Sequence, residues 1–587
     1  MAIILGLNAY HADSAAALVV DGQLVAAAEE ERFRRIKHWA GFPTEAIRSC
    51  LSSGGITLDQ VDVVAINSNP KANLWRKMDH VLRYSPDPGF VLGRLRHARR
   101  RHVIADELRR HFPQSRFDGE VQRVEHHLAH LASSFLVSSF SSAAALSLDG
   151  FGDYASATWG VGQAEKITVM GRICFPHSLG IFYQAMTQYL GFPHFGDEYK
   201  VMGLAPYGEP THMEAMGRIV RMAANGDYSL DLDFFRHHRE NIHYEWDNGV
   251  PSVGDLFTPS LEKFLGPRRQ PDEELTQRHK DIARSVQAMY EAAFFHLLNA
   301  LYRQTGLDNL ALAGGCAMNS VANGRIGQHT PFRNVYIQAA AGDAGGAIGA
   351  AMVVWCGRFG GSRPGPMDHA YLGPAYADTD YERLLSTHAA NLELSGCTST
   401  LLEESELVTR TAQAIADGKV VGWFQGRMEW GPRALGNRSI LCDPRRADMK
   451  EILNRKIKRR ESFRPFAPAI LRDEVPAWFE TDDDVPFMMK VFQIRAEKRQ
   501  QIPAVTHVDG SGRLQTVTAA TNPLYHRLIA TFQELTGIPI VLNTSFNENE
   551  PVVCQPGEAL DCFLRTQMDL LVMGRWFITR TTDKRGV

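Results

Sequence analysis

The chain has little of what marks a secreted, membrane-spanning or nucleic-acid-coating protein. Only eight of its 587 residues are cysteines, and no two of them form a CxxC pair, which argues against a disulfide framework or a zinc knuckle. The longest weakly polar run, residues 344–356, has about thirteen residues and is too short to span a bilayer. The N-terminus has no basic leader and is interpreted as a first strand. We therefore expect a cytoplasmic protein with reduced thiols and no membrane segment.

The charge balance and length point to an ordinary multidomain globular protein. The formal net charge is only −3, so nucleic acid is not an expected general partner. With 587 residues the chain should form two or more domains. A stretch rich in Gly, Pro and Arg begins at residue 357 and is typical of a linker. We predict a first domain over residues 1–357 with an insertion at about 205–280, a bridge over 358–400 and a second domain over 401–587.

Two strand–turn–strand patterns in the first domain predict a duplicated α/β fold. Strands over residues 3–7 and 15–20 flank a polar turn, and strands over 143–148 and 154–159 flank a second turn at 149–153. Such turns can present backbone N–H groups to phosphates, which indicates a nucleotide-binding unit. A chance likeness between two hairpins is the simpler alternative.

Two histidines are predicted to share one face of a helix just before the second pattern. His126 and His130 are four residues apart, so on a helix their side chains lie one above the other. Asp149 follows at a strand end next to Gly150, and Asp343 stands on a similar glycine-rich turn. Imidazoles and carboxylates together suit a divalent metal. A hydrogen-bonded, buried histidine cluster is the alternative.

The second domain concentrates basic, amide and hydroxyl side chains near glycines and prolines. Guanidinium forks and hydroxyl donors bind phosphate well, so the pattern indicates an oxyanion site. Phe463, Pro465 and Phe466 are interleaved with the basic residues of 454–468, which favours a partly buried site for a small anion over a duplex backbone. A solvated face or a nucleic-acid patch is the alternative. The candidate residues are Arg433, Lys458, Arg464, Arg513, Asn543 and Ser545.

Six motifs, in order, resemble the nodulation-type O-carbamoyltransferases, the family that includes the tobramycin and cephamycin carbamoyltransferases. The resemblance extends from about residue 3 to residue 580. The motifs are His11 with residues 13–16, then residues 29–33, 126–130, 199–208, 431–436 and 543–547.

The resemblance implies both a fold and an activity. It implies an N-terminal domain similar to tRNA threonylcarbamoyltransferases, with the actin-like ATPase/sugar-kinase fold, and a C-terminal α/β domain similar to YrdC. In the family, carbamoyl phosphate and ATP give carbamoyl-adenylate and pyrophosphate. The carbamoyl group then passes to a hydroxyl of a small-molecule acceptor, here a secondary metabolite or a glycan, and AMP is released.

Roles for individual residues follow from the same resemblance. His126, His130, Asp149 and Asp343 resemble the ligands of a metal, Fe(II) in the family, with Mg or Mn as alternatives. His11 resembles the histidine near the transferred carbonyl and is the expected general base. The remaining residues resemble groups that hold the nucleotide, at Gly150, Gly314, Gly315 and Asn319, or carbamoyl phosphate and the adenylate, at Arg433, Lys458, Arg464, Arg513, Asn543 and Ser545.

One position departs from many relatives, and two other functions stay open. Ala12 stands where some relatives have Gly, which is tolerated only if residue 12 does not need a positive φ. The competing functions are a tRNA threonylcarbamoyladenosine-type transferase and a non-catalytic ATP-binding regulator. Acceptor choice is expected to lie around residues 205–280, and a homodimer is the default oligomer.

Overall fold

The chain divides into two compact units, Met1–Met367 and Asp368–Val587. The computed structural model describes residues 1–84, 104–240, 242, 244–245, 249–461 and 463–580. Residues 358–367 of the expected bridge belong to the first unit, and residues 368–400 belong to the second. The end of the predicted second domain, residues 581–587, lies outside the described residues.

The first unit is a mixed α/β structure. Its strands are β1 Ile3–Asn8, β2 Ala15–Val20, β3 Gln23–Glu29, β4 Val63–Ile66, β5 Glu120–Arg123, β6 Ser142–Gly152, β7 Ala155–Gln163, β8 Lys166–Cys174, β9 Val220–Met222, β10 Tyr228–Leu230, β11 Tyr244–Glu245, β12 Ser252–Val253, β13 Asn309–Ala313 and β14 Asn334–Ile337. Its helices are α1 Glu31–Arg34, α2 Thr44–Gly54, α3 Leu74–Tyr84, α4 Ile104–His111, α5 His126–Phe135, α6 Leu179–Tyr189, α7 Glu198–Leu204, α8 Met213–Ile219, α9 Pro259–Leu265, α10 Gln277–Thr305, α11 Ser320–Gly324, α12 Ile326–His329 and α13 Gly345–Arg358.

Two five-stranded sheets of this unit repeat one topology. Their strand orders are β3-β2-β1-β4-β5 and β8-β7-β6-β13-β14. In each sheet the first three strands in the chain are antiparallel neighbours, and the remaining two run parallel to the central strand. The central strands read as continuous apolar runs because they are buried on both faces. The duplication predicted from the two strand–turn–strand patterns is therefore confirmed.

The second of those turns is shorter than the pattern predicts. β6 continues to Gly152, and the chain reverses at Asp153 and Tyr154, whose φ angles are +47° and +77°. Positive φ at two successive residues is the geometry of a type I′ hairpin turn. The register of β6 against β7 shifts between Leu148 and Gly152, so Asp149 lies at a bulge in the strand rather than in a loop. A bulge aims a side chain away from the regular alternation.

Arg363 explains why the predicted start of the bridge stays with the first unit. Its guanidinium donates to the backbone carbonyls of Phe135 at 2.7 Å and Ser138 at 2.5 Å, and also to that of Phe140. It also stacks on the Phe135 ring, with 4.5 Å from Cζ to the ring centre. The last carbonyls of a helix lack intrahelical partners and favour a cation. Arg363 therefore caps the end of α5, the helix that carries His126 and His130.

The predicted insertion folds as a series of short elements. Residues 205–280 contain α8, α9 and two two-stranded sheets, β9 with β10 and β11 with β12. Residues 241, 243 and 246–248 lie outside the described part. Among the described residues, no helix has the length and apolar character needed to cross a membrane. All eight cysteines are free thiols.

The second unit is built on one nine-stranded mixed sheet, in the order β15-β23-β22-β16-β17-β21-β18-β20-β19. Its strands are β15 Cys397–Leu401, β16 Val421–Phe424, β17 Arg438–Cys442, β18 Ala467–Leu471, β19 Lys490–Gln493, β20 Ser511–Val517, β21 Ile540–Ser545, β22 Leu570–Met573 and β23 Trp576–Arg580. Its helices are α14 Asp378–Thr387, α15 Ala389–Leu394, α16 Glu404–Ala416, α17 Met449–Ile452, α18 Val475–Trp478, α19 Pro523–Thr536 and α20 Pro556–Thr566. β15 pairs with β23, so part of the expected bridge is an edge strand of this sheet.

Candidate functional site

Helix α5 presents two imidazoles to one point. Glu125 caps the helix by accepting the Leu128 N–H at 2.8 Å, and Asp153 accepts the His126 N–H at 2.9 Å. These acceptors hold the first turn, where the helix N–H groups have no internal partners. His126 and His130 are fully buried, and their Nε2 atoms are 3.0 Å apart. The predicted i, i+4 arrangement is present.

Two carboxylates, one from a strand and one from a turn, meet the imidazoles. Oδ2 of Asp149 lies 3.2 Å from Nε2 of His126 and 3.5 Å from Nε2 of His130. Oδ1 of Asp343 lies 3.5 Å and 3.6 Å from the same two nitrogens. Asp149 comes from β6, and Asp343 comes from the turn before α13. The topology thus brings together four residues that span more than 200 positions of the chain.

The four side chains fit a divalent metal. Each offers one ligand atom, and the four atoms lie within 4.8 Å of one another. Two ligands at right angles, each about 2.1 Å from an ion, are about 3.0 Å apart, which matches the separation of the two Nε2 atoms. Nitrogen and oxygen donors of this kind suit iron, manganese or magnesium.

Charges in the cluster influence one another strongly. Burial by itself lowers the pKa of His126, but hydrogen bonding to Asp149 and the charge of Asp343 raise it to about 9. Burial raises the pKa of Asp343, and the neighbouring Asp149 charge adds to this. His127, which faces Ser147 instead, has its pKa lowered to about 3 by burial and by the other two histidines. A metal would have to displace the proton of His126.

His11 lies beside this cluster on a braced loop. Its Nδ1 is 3.8 Å from Oδ2 of Asp343, and its ring centre is 5.2 Å from that of His126. The Asn8 side chain donates to the Ala12 carbonyl at 2.9 Å, and the Ser14 hydroxyl donates to the His11 carbonyl at 3.1 Å. Side chains on both sides of the loop therefore hold the imidazole in place.

The loop does not need glycine at residue 12. Its two residues with positive φ are Tyr10, at +60°, and Asp13, at +55°. Ala12 is not among the positive-φ residues, so alanine is tolerated at this position in place of glycine.

The glycine-rich turn after β13 contacts the cluster. The Gly315 N–H donates to Oδ1 of Asp149 at 2.9 Å, and Gly314 has a φ of +93°. Asn319 and Gln287 exchange two hydrogen bonds, at 2.9 Å and 3.1 Å. The sequence did not indicate Gln287, because it lies inside the apolar pattern of α10.

Two glycines of β6 give a matched test of the cluster. A methyl group at Gly152 would lie 1.9 Å from the His126 ring, whereas nothing lies within 4 Å of one at Gly150. We expect Gly152→Ala to displace His126 and to weaken metal binding by about 10- to 100-fold, the range seen when a ligand loses its orientation. Gly150→Ala should bind metal as the wild type does. Titration with Mn(II) followed by electron paramagnetic resonance measures both, and equal affinities would contradict the steric argument.

Lys458 lies in the second unit and is almost fully buried. Its Nζ donates to the carbonyl of Ser545 at 2.5 Å, to the carbonyl of Asn547 at 2.8 Å and to Oδ1 of Asn547 at 2.6 Å. The Ser545 hydroxyl also donates to Oδ1 of Asn547, at 2.9 Å. Lys458 therefore holds the segment that carries Ser545, and it does so partly through Asn547, which the sequence analysis named only as a member of the motif at residues 543–547.

Asn543 links β21 to the glycine-rich loop that carries Arg433. Its amide donates to the Ala434 carbonyl at 3.0 Å and to Oε1 of Gln515 at 2.7 Å. Gln515 in turn donates to the Leu435 carbonyl at 2.8 Å. Asn543 and Ser545 both belong to β21.

The surroundings of Arg513 in the second unit disfavour its positive charge. Burial lowers the pKa of its guanidinium well below the usual value, and the charges of Arg433 and Arg460 lower it further. Its Nε atom is buried without a hydrogen-bond partner. A buried positive charge beside two like charges is costly, so the three neighbouring guanidiniums favour a bound anion.

The remaining predicted residue, Arg464, has an acidic partner. Arg464 and Glu461 form an ion pair at 2.6 Å. A second carboxylate, Glu429, organises the Arg433 loop by accepting the N–H groups of Leu435 and Asn437, both at 2.8 Å. The sequence did not single out Glu429, although a lone acid among glycines and arginines was a usable signal.

Two family models match most of the chain. The one described as carbamoyltransferase N-terminus matches residues 3–352, and the one described as carbamoyltransferase C-terminus matches residues 412–580. Together they cover the greater part of both units.

Curated relatives align over most of the chain. An uncharacterised Synechocystis protein is 40% identical over 99% of this chain and 97% of its own length. The nodulation protein NolNO of Sinorhizobium fredii is 38% identical over 98% of this chain and 80% of its own. The nodulation protein NolO of Bradyrhizobium diazoefficiens is 38% identical over 78% of this chain and 79% of its own.

Solved structures are similar only at low identity. HypF of T. kodakarensis is 15% identical, covers 61% of this chain and 48% of its own, and has a TM-score of 0.31. A ROK hexokinase of Thermus thermophilus is 13% identical, covers 61% of this chain and 100% of its own, and has a TM-score of 0.30.

Proposed function

Because this chain belongs to the carbamoyltransferase family, we propose that it is an ATP-dependent O-carbamoyltransferase that uses carbamoyl phosphate and acts on a hydroxyl of a small molecule. The observation that carries the proposal is the convergence of His126, His130, Asp149 and Asp343 on one point, with His11 beside them. This arrangement offers a metal site for nucleotide phosphates and an imidazole for proton transfer in one place.

The second unit is proposed to form carbamoyl-adenylate, on a fold similar to YrdC. Carbamoyl-adenylate does not contain the phosphate of carbamoyl phosphate. Water is therefore proposed to cleave the bond between the carbamoyl group and that phosphate, which gives carbamate and inorganic phosphate. A carbamate oxygen then attacks the α-phosphorus of ATP, and pyrophosphate leaves. Negative charge gathers on phosphate oxygens in both steps. Arg433, Arg464 and Arg513 are proposed to stabilise that charge, with Lys458 and Asn543 holding the surrounding backbone and Ser545 donating its hydroxyl.

The first unit is proposed to carry out the transfer, on an actin-like fold. The acceptor oxygen attacks the carbamoyl carbon, the bond from that carbon to the adenylate oxygen breaks, and AMP leaves. The hydroxyl proton passes to His11, which the Asn8 and Ser14 hydrogen bonds hold in place. A metal ion bound by His126, His130, Asp149 and Asp343, proposed to be Fe(II), would neutralise nucleotide phosphate charge. Gly314, Gly315 and Asn319 are proposed to line the nucleotide side, and open space over Gly150 lets a phosphate approach.

An assay of three products tests the proposal. The protein, loaded anaerobically with Fe(II), is incubated with ATP and carbamoyl phosphate, with and without a panel of amino sugars, polyols and glycans. We expect pyrophosphate, inorganic phosphate and AMP to form only when both co-substrates are present, and one acceptor class to accelerate AMP release. If no pyrophosphate forms, the proposed carbamoyl-adenylate route is wrong. Transfer of labelled carbamoyl to tRNA, but to no small acceptor, would instead favour the tRNA-modifying alternative.

A further inference from the structure

Two residues that the proposed steps leave without a role, one from each of the first two motifs, and the turn that leads into a later motif meet at one histidine, His38. Its Nδ1 lies 2.8 Å from Oδ1 of Asp13, which belongs to the first motif. Its backbone N–H donates to Oε2 of Glu31, in the second motif, at 2.9 Å. Its ring contacts the edge of Phe195, with ring centres 5.4 Å apart, close to where α7 and the motif at residues 199–208 begin.

The third contact is close enough to exclude a side chain. A methyl group placed at Gly196 would lie 2.2 Å from Nε2 of His38, and Gly196 has a φ of +84°. Glycine is therefore required there both by the backbone conformation and by the imidazole. The His38 ring lies against the turn before α7 as well as against the loop that carries His11.

Asp13 holds a strained part of that loop. Non-glycine residues with positive φ persist only where surrounding contacts enforce them. Asp13 and Tyr10 are two such residues, and His11 lies between them. The main chain next to His38 completes the support, since Tyr10 N–H donates to the Gly41 carbonyl and Ser14 N–H donates to the Trp39 carbonyl, both at 2.9 Å.

The charges around His38 favour its protonated form. Asp13, Glu31 and Glu198 are the titratable groups that face the ring, and the nearby Lys200 is paired with Asp197 at 2.9 Å. Burial by itself lowers the pKa of His38, but Asp13, Glu31 and Glu198 raise it to about 9. Burial raises the pKa of Glu198 to about 7.

We propose that His38 is a positioning residue for the transfer step, because its bond to Asp13 fixes the loop that presents His11 to Asp343. The inference rests on the proposed function. His38 itself touches neither acceptor nor nucleotide, and it acts through Asp13 and the loop. The motif at residues 29–33 then serves to supply Glu31, and the motif at 199–208 begins beside the turn that packs on His38.

The sign of the pH dependence follows from these groups. The pKa of His38 in the folded protein lies above its ordinary value of 6.5. Its bond to Asp13 therefore stabilises the loop fully below pH 6.5, and this stabilisation is lost as the pH rises through about 9. Ionisation of Glu198 near pH 7 adds a further negative charge beside the ring. We therefore expect the rate of the transfer step to fall as the pH rises through about 9, because His38 loses its proton there.

The test compares His38→Gln and Asp13→Asn with His388→Gln, a half-buried histidine of the second unit bonded to the Leu384 carbonyl at 3.0 Å. Pyrophosphate release reports the first step, and AMP release from preformed carbamoyl-adenylate, with glycerol as the hydroxyl probe, reports the second. We expect His38→Gln and Asp13→Asn to slow the second step at least about tenfold more than the first, with no additive loss in the double variant. His388→Gln should change neither step.

Three results would overturn the inference. The first is equal loss of both steps in His38→Gln, and the second is a limb near pH 9 that His38→Gln retains. The third is a second bound metal ion per chain that His38→Gln removes, because Asp13, Glu31 and His38 would then be ligands. A wild-type protein that releases no pyrophosphate would overturn the proposed function itself, and the inference with it.

Discussion

Asp149→Asn is expected to abolish metal binding and carbamoyl transfer while leaving the fold of the first unit intact. Asp149 is the carboxylate nearest to both histidines, at 3.2 Å and 3.5 Å from their Nε2 atoms. The amide has the same size and can still accept the Gly315 N–H, but it carries no charge and is a poor metal ligand. Loss of several kcal/mol of charge stabilisation corresponds to a rate loss of about 1,000-fold.

The measurement is metal content by elemental analysis together with AMP release from carbamoyl-adenylate. His127→Asn is the matched control, since His127 lies on the same helix and is equally buried, but bonds Ser147 at 2.8 Å through Nδ1. An asparagine amide can replace that hydrogen bond, so metal content should remain at the wild-type level. An Asp149→Asn protein that keeps both metal and transfer would show that the four-residue cluster is only a hydrogen-bonded core.

Arg513→Gln is expected to abolish adenylate formation and, at the same time, to stabilise the ligand-free protein. Burial and the charges of Arg433 and Arg460 oppose the Arg513 charge when no anion is bound. Removing it should relieve that repulsion by about 1 kcal/mol, as with other poorly compensated buried charges. Loss of a guanidinium that stabilises developing phosphate charge should slow pyrophosphate release about 100- to 1,000-fold.

Arg464→Ala and His11→Asn complete the comparison. Arg464→Ala should also stop adenylate formation, because Arg464 is proposed to stabilise phosphate charge. Since Arg464 is paired with Glu461, its removal relieves no repulsion and should leave the stability of the protein unchanged or lower. His11→Asn should slow transfer about 100- to 10,000-fold and slow adenylate formation far less. Thermal unfolding with and without carbamoyl phosphate, beside the two step assays, checks all three variants. A destabilised Arg513→Gln protein, or equal loss of adenylation in His11→Asn, would contradict this division of labour.

Local pattern was sufficient for most elements that carry the site. The helix at His126–Phe135 and the strands on either side of the His11 loop follow from periodicity and turn residues. Their ends were less predictable. β6 runs on to Gly152 because its bulge and its pairing with β7 depend on a neighbouring strand. The predicted bridge is also not a separate segment: its first ten residues belong to the first unit. Arg363 holds them there, because it binds carbonyls of a helix end more than 220 residues earlier in the chain.

Residue identities and order by themselves determined the family, the two-domain plan and the candidate ligands. These depend on side-chain type and local spacing, which remain readable along a chain. Only the tertiary structure decided how those groups are used. It brought Asp343 close to His11 and His126, bonded Lys458 to the segment that carries Ser545, placed Arg513 beside like charges and brought Asp13 and Glu31 to His38. The physical reason is that ligand geometry, desolvation and charge coupling act through space, between residues whose separation in the chain carries no information about their distance.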